Sequence, residues 1–140
     1  MINVYVDIVG DLFHAGHVRF LEQARGQGDR LVVGVCGDEL TASYKRTPVM
    51  SLAERLEVVR ACRWADVVVA DPPCPVTEEF LRAHEIDVVV HGDDFDVNTI
   101  DYWYGVPRRL GMFRTVSYTP GISTSDIIDR IVRSHVLPSA

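Results

Sequence analysis

Asp11-Leu12-Phe13-His14-Ala15-Gly16-His17 decides the fold, because it lies between an apolar run over 3–9 and a segment of helical spacing over 16–25. A buried strand that passes through a short turn straight into a helix is the opening unit of a parallel sheet with crossover helices. Backbone N–H groups at such a helix start lack partners and carry partial positive charge, which suits an anion. His14 and His17, three apart, fall on one side of the turn and add donors aimed at the same place, while Gly16 lets a ligand approach the backbone. On spacing alone, two histidines at an exposed helix end are the competing reading.

Outward from this unit the pattern repeats. Valine- and isoleucine-rich runs over 31–36, 66–70, 87–91 and 113–118 read as strands buried on both faces. They alternate with helical spacing over 52–62, 77–84, 100–110 and 124–134. Ser51 with Glu54 and Ser123 with Asp126 have capping-box spacing at two helix starts. The expected fold is α/β: a Rossmann-like, doubly wound, five-stranded parallel sheet with helices on both faces. Ligands then belong at the carboxyl ends of the strands.

The 140 residues, 47% hydrophobic and 24% charged, suit one domain with a core. We expect it over 1–135, with 136–140 a tail that could link to a further domain. A net charge of −6 gives no basic field for nucleic acid or an anionic membrane, so an anionic ligand has to be held locally. The three cysteines form no C-x-x-C pair, which favours neither zinc nor a disulfide framework and points to a reducing, cytoplasmic setting. No run approaches a membrane span, and the apolar start, which contains Asp7 and lacks a basic leader, reads as a strand rather than a signal peptide.

Gly121-Ile122-Ser123-Thr124-Ser125-Asp126 places a glycine turn and a hydroxyl-rich helix start after the last strand. By the same physics this is a second anion site, with an ordinary N-cap as the alternative. Tyr44-Lys45-Arg46-Thr47-Pro48-Val49-Met50 reads as a basic loop able to bring cations to phosphate, or else as a solvated surface pair. Asp93-Asp94 after the fourth strand suits ribose, base or metal, and equally a turn.

Together these motifs resemble the cytidylyltransferases acting on choline phosphate, ethanolamine phosphate and glycerol 3-phosphate, over nearly the whole chain. His14-Ala15-Gly16-His17 matches their H-x-G-H signature, Lys45 their loop lysine, Glu54-Arg55 their E-R pair, and Gly121 through Thr124 their G-I-S-T stretch. The resemblance implies in-line attack of an acceptor phosphate oxygen on the α-phosphorus of CTP, brought in with Mg2+, and release of pyrophosphate. It implies His14, His17 and Lys45 as catalytic groups. Val9, Gly10, Arg55, Asp94, Gly121, Ile122, Ser123 and Thr124 would hold the nucleotide, and Asp7, Cys74 and Tyr118 the acceptor. No direct protein ligand to the metal is expected. Cys62 through Asp66 is similar to a segment that helps form a homodimer in the family.

Departures narrow the acceptor. Ile8 stands where the first motif usually has glycine, and Tyr118-Thr119-Pro120 replaces Arg-Thr-Glu, so a cationic nucleotide contact is absent and Arg46 or Arg55 is expected to take its role. Cys74 and Val97 occupy positions that are aromatic in choline enzymes, where rings hold a quaternary ammonium. Without that cage choline is disfavoured. Asp7 matches the acidic residue facing the ammonium, so phosphoethanolamine and 2-hydroxyethylphosphonate are the expected acceptors, ahead of glycerol 3-phosphate. An adenylyltransferase of the same fold and a regulatory nucleotide-binding domain are the rival functions.

Overall fold

The computed structural model describes residues 1–117 and 120–136. Five strands, β1 (Asn3–Ile8), β2 (Arg30–Val35), β3 (Val67–Ala70), β4 (Val88–Gly92) and β5 (Phe113–Val116), form one all-parallel sheet in the order β3-β2-β1-β4-β5. Among the described residues five helices lie between strands, α1 (Ala15–Arg25), α2 (Asp38–Tyr44), α3 (Leu52–Arg60), α4 (Glu78–Ala83) and α5 (Val97–Arg109), and α6 (Thr124–Ile131) follows β5 and runs into a π-type turn at Val132–Val136.

Strand alternation divides the core between the two faces. Val4, Val6, Val33, Val35, Val88 and Val90 pack on one side with Leu21 of α1 and Leu56 and Val59 of α3. Tyr5, Val32 and Val89 face the other way, against Leu81 of α4 and Tyr104 of α5. Runs buried on both faces are therefore continuous in hydrophobicity, which is why they could be read from the sequence. Between β1 and β4 the sheet reverses its order of winding, and there the carboxyl ends part to leave a crevice.

Two elements depart from the expected pattern. The short helix α2 went unpredicted because its seven mostly polar residues show no strong period, and its Gly37 N-cap offers no side-chain bond. Helix α5 starts earlier than expected and is kinked: Tyr104 leaves helical geometry (φ −126°, ψ 21°). Pro107 explains the kink, since it has no N–H for the Trp103 carbonyl, which accepts from Val76 N–H at 3.2 Å instead. Tyr118 and the tail at 137–140 lie outside the described residues. Among the described residues, no helix is long and apolar enough to cross a membrane.

Candidate active site

A cavity of about 610 Å³ opens at the strand carboxyl ends, and most of the sequence-picked residues meet in it. Asp7 and Val9 reach it from β1 and its end, His14 and His17 from the start of α1, Lys45 from the basic loop, Cys74 and Asp94 from the loops after β3 and β4, and Ile122, Ser123 and Thr124 from the start of α6. Gly10 and Gly121 are not among its lining residues; each shapes the adjoining turn with positive φ (70° and 99°).

The H-x-G-H turn is built by its own side chains. His14 is the N-cap of α1, and its Nδ1 accepts the Gly16 N–H at 3.0 Å; His17 Nδ1 in turn accepts the His14 N–H at 3.0 Å. A nitrogen that accepts carries no proton, so each neutral ring holds its proton on Nε2. Glycine is required between them, because a Cβ at position 16 would lie 2.8 Å from His14 Cε1. Burial, then the neighbouring His14 and Lys45 charges, lowers the His17 pKa to about 3, and burial lowers that of His14. Both rings are thus neutral Nε2–H donors at neutral pH. His14 Nε2 lies 3.4 Å from Thr124 Oγ1, whose hydroxyl donates to the Asp11 carbonyl at 2.9 Å, so the two candidate anion sites touch.

Lys45 is held partly out of water, and that burial lowers its pKa. Arg46 also lines the cavity and donates to Ser125 Oγ at 3.2 Å, linking the basic loop to α6. Ser123 caps α6 by accepting the Asp126 N–H.

Arg55 corrects the expectation that it contacts nucleotide. Its side chain is 0% exposed and lies behind the cavity, donating to the carbonyls of Met50 (3.1 Å), Val9 (2.7 Å) and Cys36 (2.7 Å) and pairing with Asp38. A guanidinium with four of its five donors engaged this way is a staple joining the ends of β1 and β2 to the loop before α3. Of the two candidate substitutes for the absent cation, Arg46 alone faces the cavity.

The acceptor end also differs from expectation. Cys74 does line the cavity, its Sγ 3.9 Å from Cys36 Sγ and 3.7 Å from Asp7 Oδ2, but Val97 is 61% exposed outside it. Rings nevertheless arrive from other positions. Tyr44, Phe95, Trp103 and Tyr104 line the wall, with Tyr44 and Trp103 centroids 5.1 Å apart, so the expected loss of an aromatic wall is corrected. The Tyr104 hydroxyl donates to Asp7 Oδ1, and burial raises the Asp7 pKa. Sequence reading missed Tyr104, Trp103 and His91 here; the one available signal was Pro107, which marks a kink inside a helical pattern.

Asp94 also lines the cavity. Among the described residues no three His, Cys, Asp or Glu side chains group to hold a metal ion, so the donor set does not form a cage for Mg2+.

A family model described as cytidylyltransferase-like matches residues 11–130. The chain belongs to that family. It is 45% identical to choline-phosphate cytidylyltransferase A of Rattus norvegicus over 137 residues, and 44% identical to ethanolamine-phosphate cytidylyltransferase of Dictyostelium discoideum over 133. These alignments take in 96% and 94% of this chain but 37% of either relative, so the chain spans a little over a third of their length. Among solved structures, a lipopolysaccharide core biosynthesis protein of Thermoplasma volcanium superposes with a TM-score of 0.69 at 22% identity, covering 85% of this chain and 98% of the other. Pantothenate synthetase of Thermus thermophilus gives 0.57 at 17%, covering 90% and 58%. These two likenesses concern the fold.

Proposed function

We propose that this domain transfers CMP from CTP to phosphoethanolamine and releases pyrophosphate. The observation that carries the reading is the meeting of His14, His17, Lys45 and the Ser123-Thr124 helix start in one cavity. An acceptor phosphate oxygen attacks the α-phosphorus as the bond to pyrophosphate breaks. Neutral Nε2–H donors stabilise the equatorial charge, Lys45 neutralises the phosphates, and the α6 start receives the leaving group. Mg2+ bound with CTP would add to the charge neutralisation that Lys45 supplies at the phosphates.

The acceptor assignment rests on Asp7. A buried carboxyl beside aromatic walls is stabilised in its charged form by a primary ammonium, which can donate hydrogen bonds that a trimethylammonium lacks. 2-Hydroxyethylphosphonate offers the same attacking dianion and no cation. Phosphorus NMR with CTP or ATP and a panel of phosphoethanolamine, phosphocholine, 2-hydroxyethylphosphonate and glycerol 3-phosphate tests both halves. Phosphoethanolamine with CTP should be fastest, and Asp7→Asn should weaken that acceptor roughly 10-fold or more while sparing the phosphonate. Faster turnover with ATP sinks the cytidylyl reading; preference for the phosphonate in the unmodified protein sinks the acceptor. The homodimer implied by the resemblance would use the edge strand β3 beside Cys62–Asp66, and the mass in solution decides it.

A further inference from the structure

Asp11 is 3% exposed, yet no cationic side chain pairs with it among the described residues. Its carboxylate instead accepts two backbone N–H groups from a segment far along the chain: Val49 N at 2.9 Å on Oδ2 and Met50 N at 2.9 Å on Oδ1. Those amides close the irregular stretch that begins at Lys45. Met50 is gripped on its other side as well, since its carbonyl accepts from Arg55 Nε. At the opposite end of the stretch, Lys45 N–H donates to the Thr41 carbonyl at 2.9 Å, ending α2.

A ring of contacts results. The Asp11 side chain holds the end of the basic loop, Arg46 near its start touches Ser125, and Thr124 returns to the Asp11 carbonyl. His14, His17 and Lys45 line the cavity that this ring borders. A loop anchored only at α2 would leave the position of Lys45 relative to the histidines free to vary, and an ångström of drift is expensive in a reaction that depends on positioning.

We propose that Asp11 is a positioning residue that latches the 45–50 loop and thereby sets Lys45 opposite the two histidines. The inference rests on the cytidylyl reading for its kinetic half and on geometry alone for its structural half. Asp11 acts through Lys45, so its contribution should vanish when the lysine is gone.

The structural half is read by amide hydrogen exchange in Asp11→Asn, which keeps one acceptor oxygen and the side chain's shape, and in Asp11→Ala. The Val49 and Met50 amides should exchange roughly 10-fold faster in Asp11→Asn and faster still in Asp11→Ala, with strand amides such as Val4 and Val33 unchanged. The kinetic half is a double-mutant cycle with Lys45→Ala, scored on kcat/KM for CTP and on the CTP Kd. Asp11→Asn should cost roughly 10- to 100-fold in the presence of Lys45 and less than about threefold in its absence. Unchanged protection of Val49 and Met50, or equal losses in both backgrounds, overturns the latch. Failure of the unmodified protein to turn over CTP would instead overturn the functional reading, leaving the exchange result to judge the latch.

Discussion

At His17 the two ring nitrogens have separate duties. Nδ1 receives the His14 N–H and completes the helix start, and Nε2 is left to donate toward the cavity. On the proposed function, replacing His17 by alanine removes one transition-state donor together with the capping bond. We expect kcat to fall on the order of 100-fold or more, and stability to fall by only about 1 kcal/mol. Steady-state pyrophosphate release and a urea melt on the same preparation separate the two; unchanged turnover in a folded variant would exclude the catalytic role. The pair was legible in the sequence because its geometry is local, three residues on one turn. Asp11 was not, because its partners are 38 and 39 positions away and an isolated aspartate before a helix reads as turn chemistry. Tyr104 is likewise 97 positions from the Asp7 it holds.

At the scale of elements, strands announced themselves and the loop anchors did not. Four valine-rich runs read as strands, since a sheet covered on both faces needs apolar residues at successive positions, while the edge strand β5 carries exposed Arg114 and Thr115. The helix start at Ser51 was equally clear, with Ser51 and Glu54 bonding reciprocally as their spacing required. What Arg55 does within α3 follows from tertiary contact: the helix aims it at carbonyls of two strand ends and one loop. Removing this guanidinium leaves three carbonyls without a donor and Asp38 without its cation. Arg55→Ala should cost about 3–5 kcal/mol, read as a lower urea midpoint at unchanged m-value. Arg55→Lys should recover only part, because an ammonium cannot span that fork of acceptors. A melt superimposable on the unmodified protein's would show that Arg55 is no staple and return it to the nucleotide.

For the whole molecule, the cavity proposed to bind substrate also shapes how stability responds to pH. His17 has a native pKa near 3, below the ordinary value of 6.5, so between these values the unfolded chain carries a proton that the native protein lacks. Its contribution to stability is complete above about pH 6.5 and is lost as the pH falls toward 3; His14, lowered as well, acts in the same direction. Asp7 acts in the opposite sense. Its native pKa is raised above 3.8, so just above that value the native protein holds the extra proton, and this contribution is lost as the pH rises through the native pKa. The two groups partly offset one another in mildly acidic solution. Urea denaturation from pH 4 to pH 7 should therefore show stability rising with pH more steeply in Asp7→Asn than in the unmodified protein, and more gently in His17→Asn. Equal slopes in all three would mean that neither group changes its proton affinity on folding. An ammonium acceptor seated against Asp7 stabilises the carboxylate, so phosphoethanolamine should release a proton as it binds in mildly acidic buffer. Calorimetry in buffers of different ionisation enthalpy, with Asp7→Asn as the reference for the phosphate's own proton, isolates that release, and equal release in the two proteins would remove Asp7 from the acceptor site.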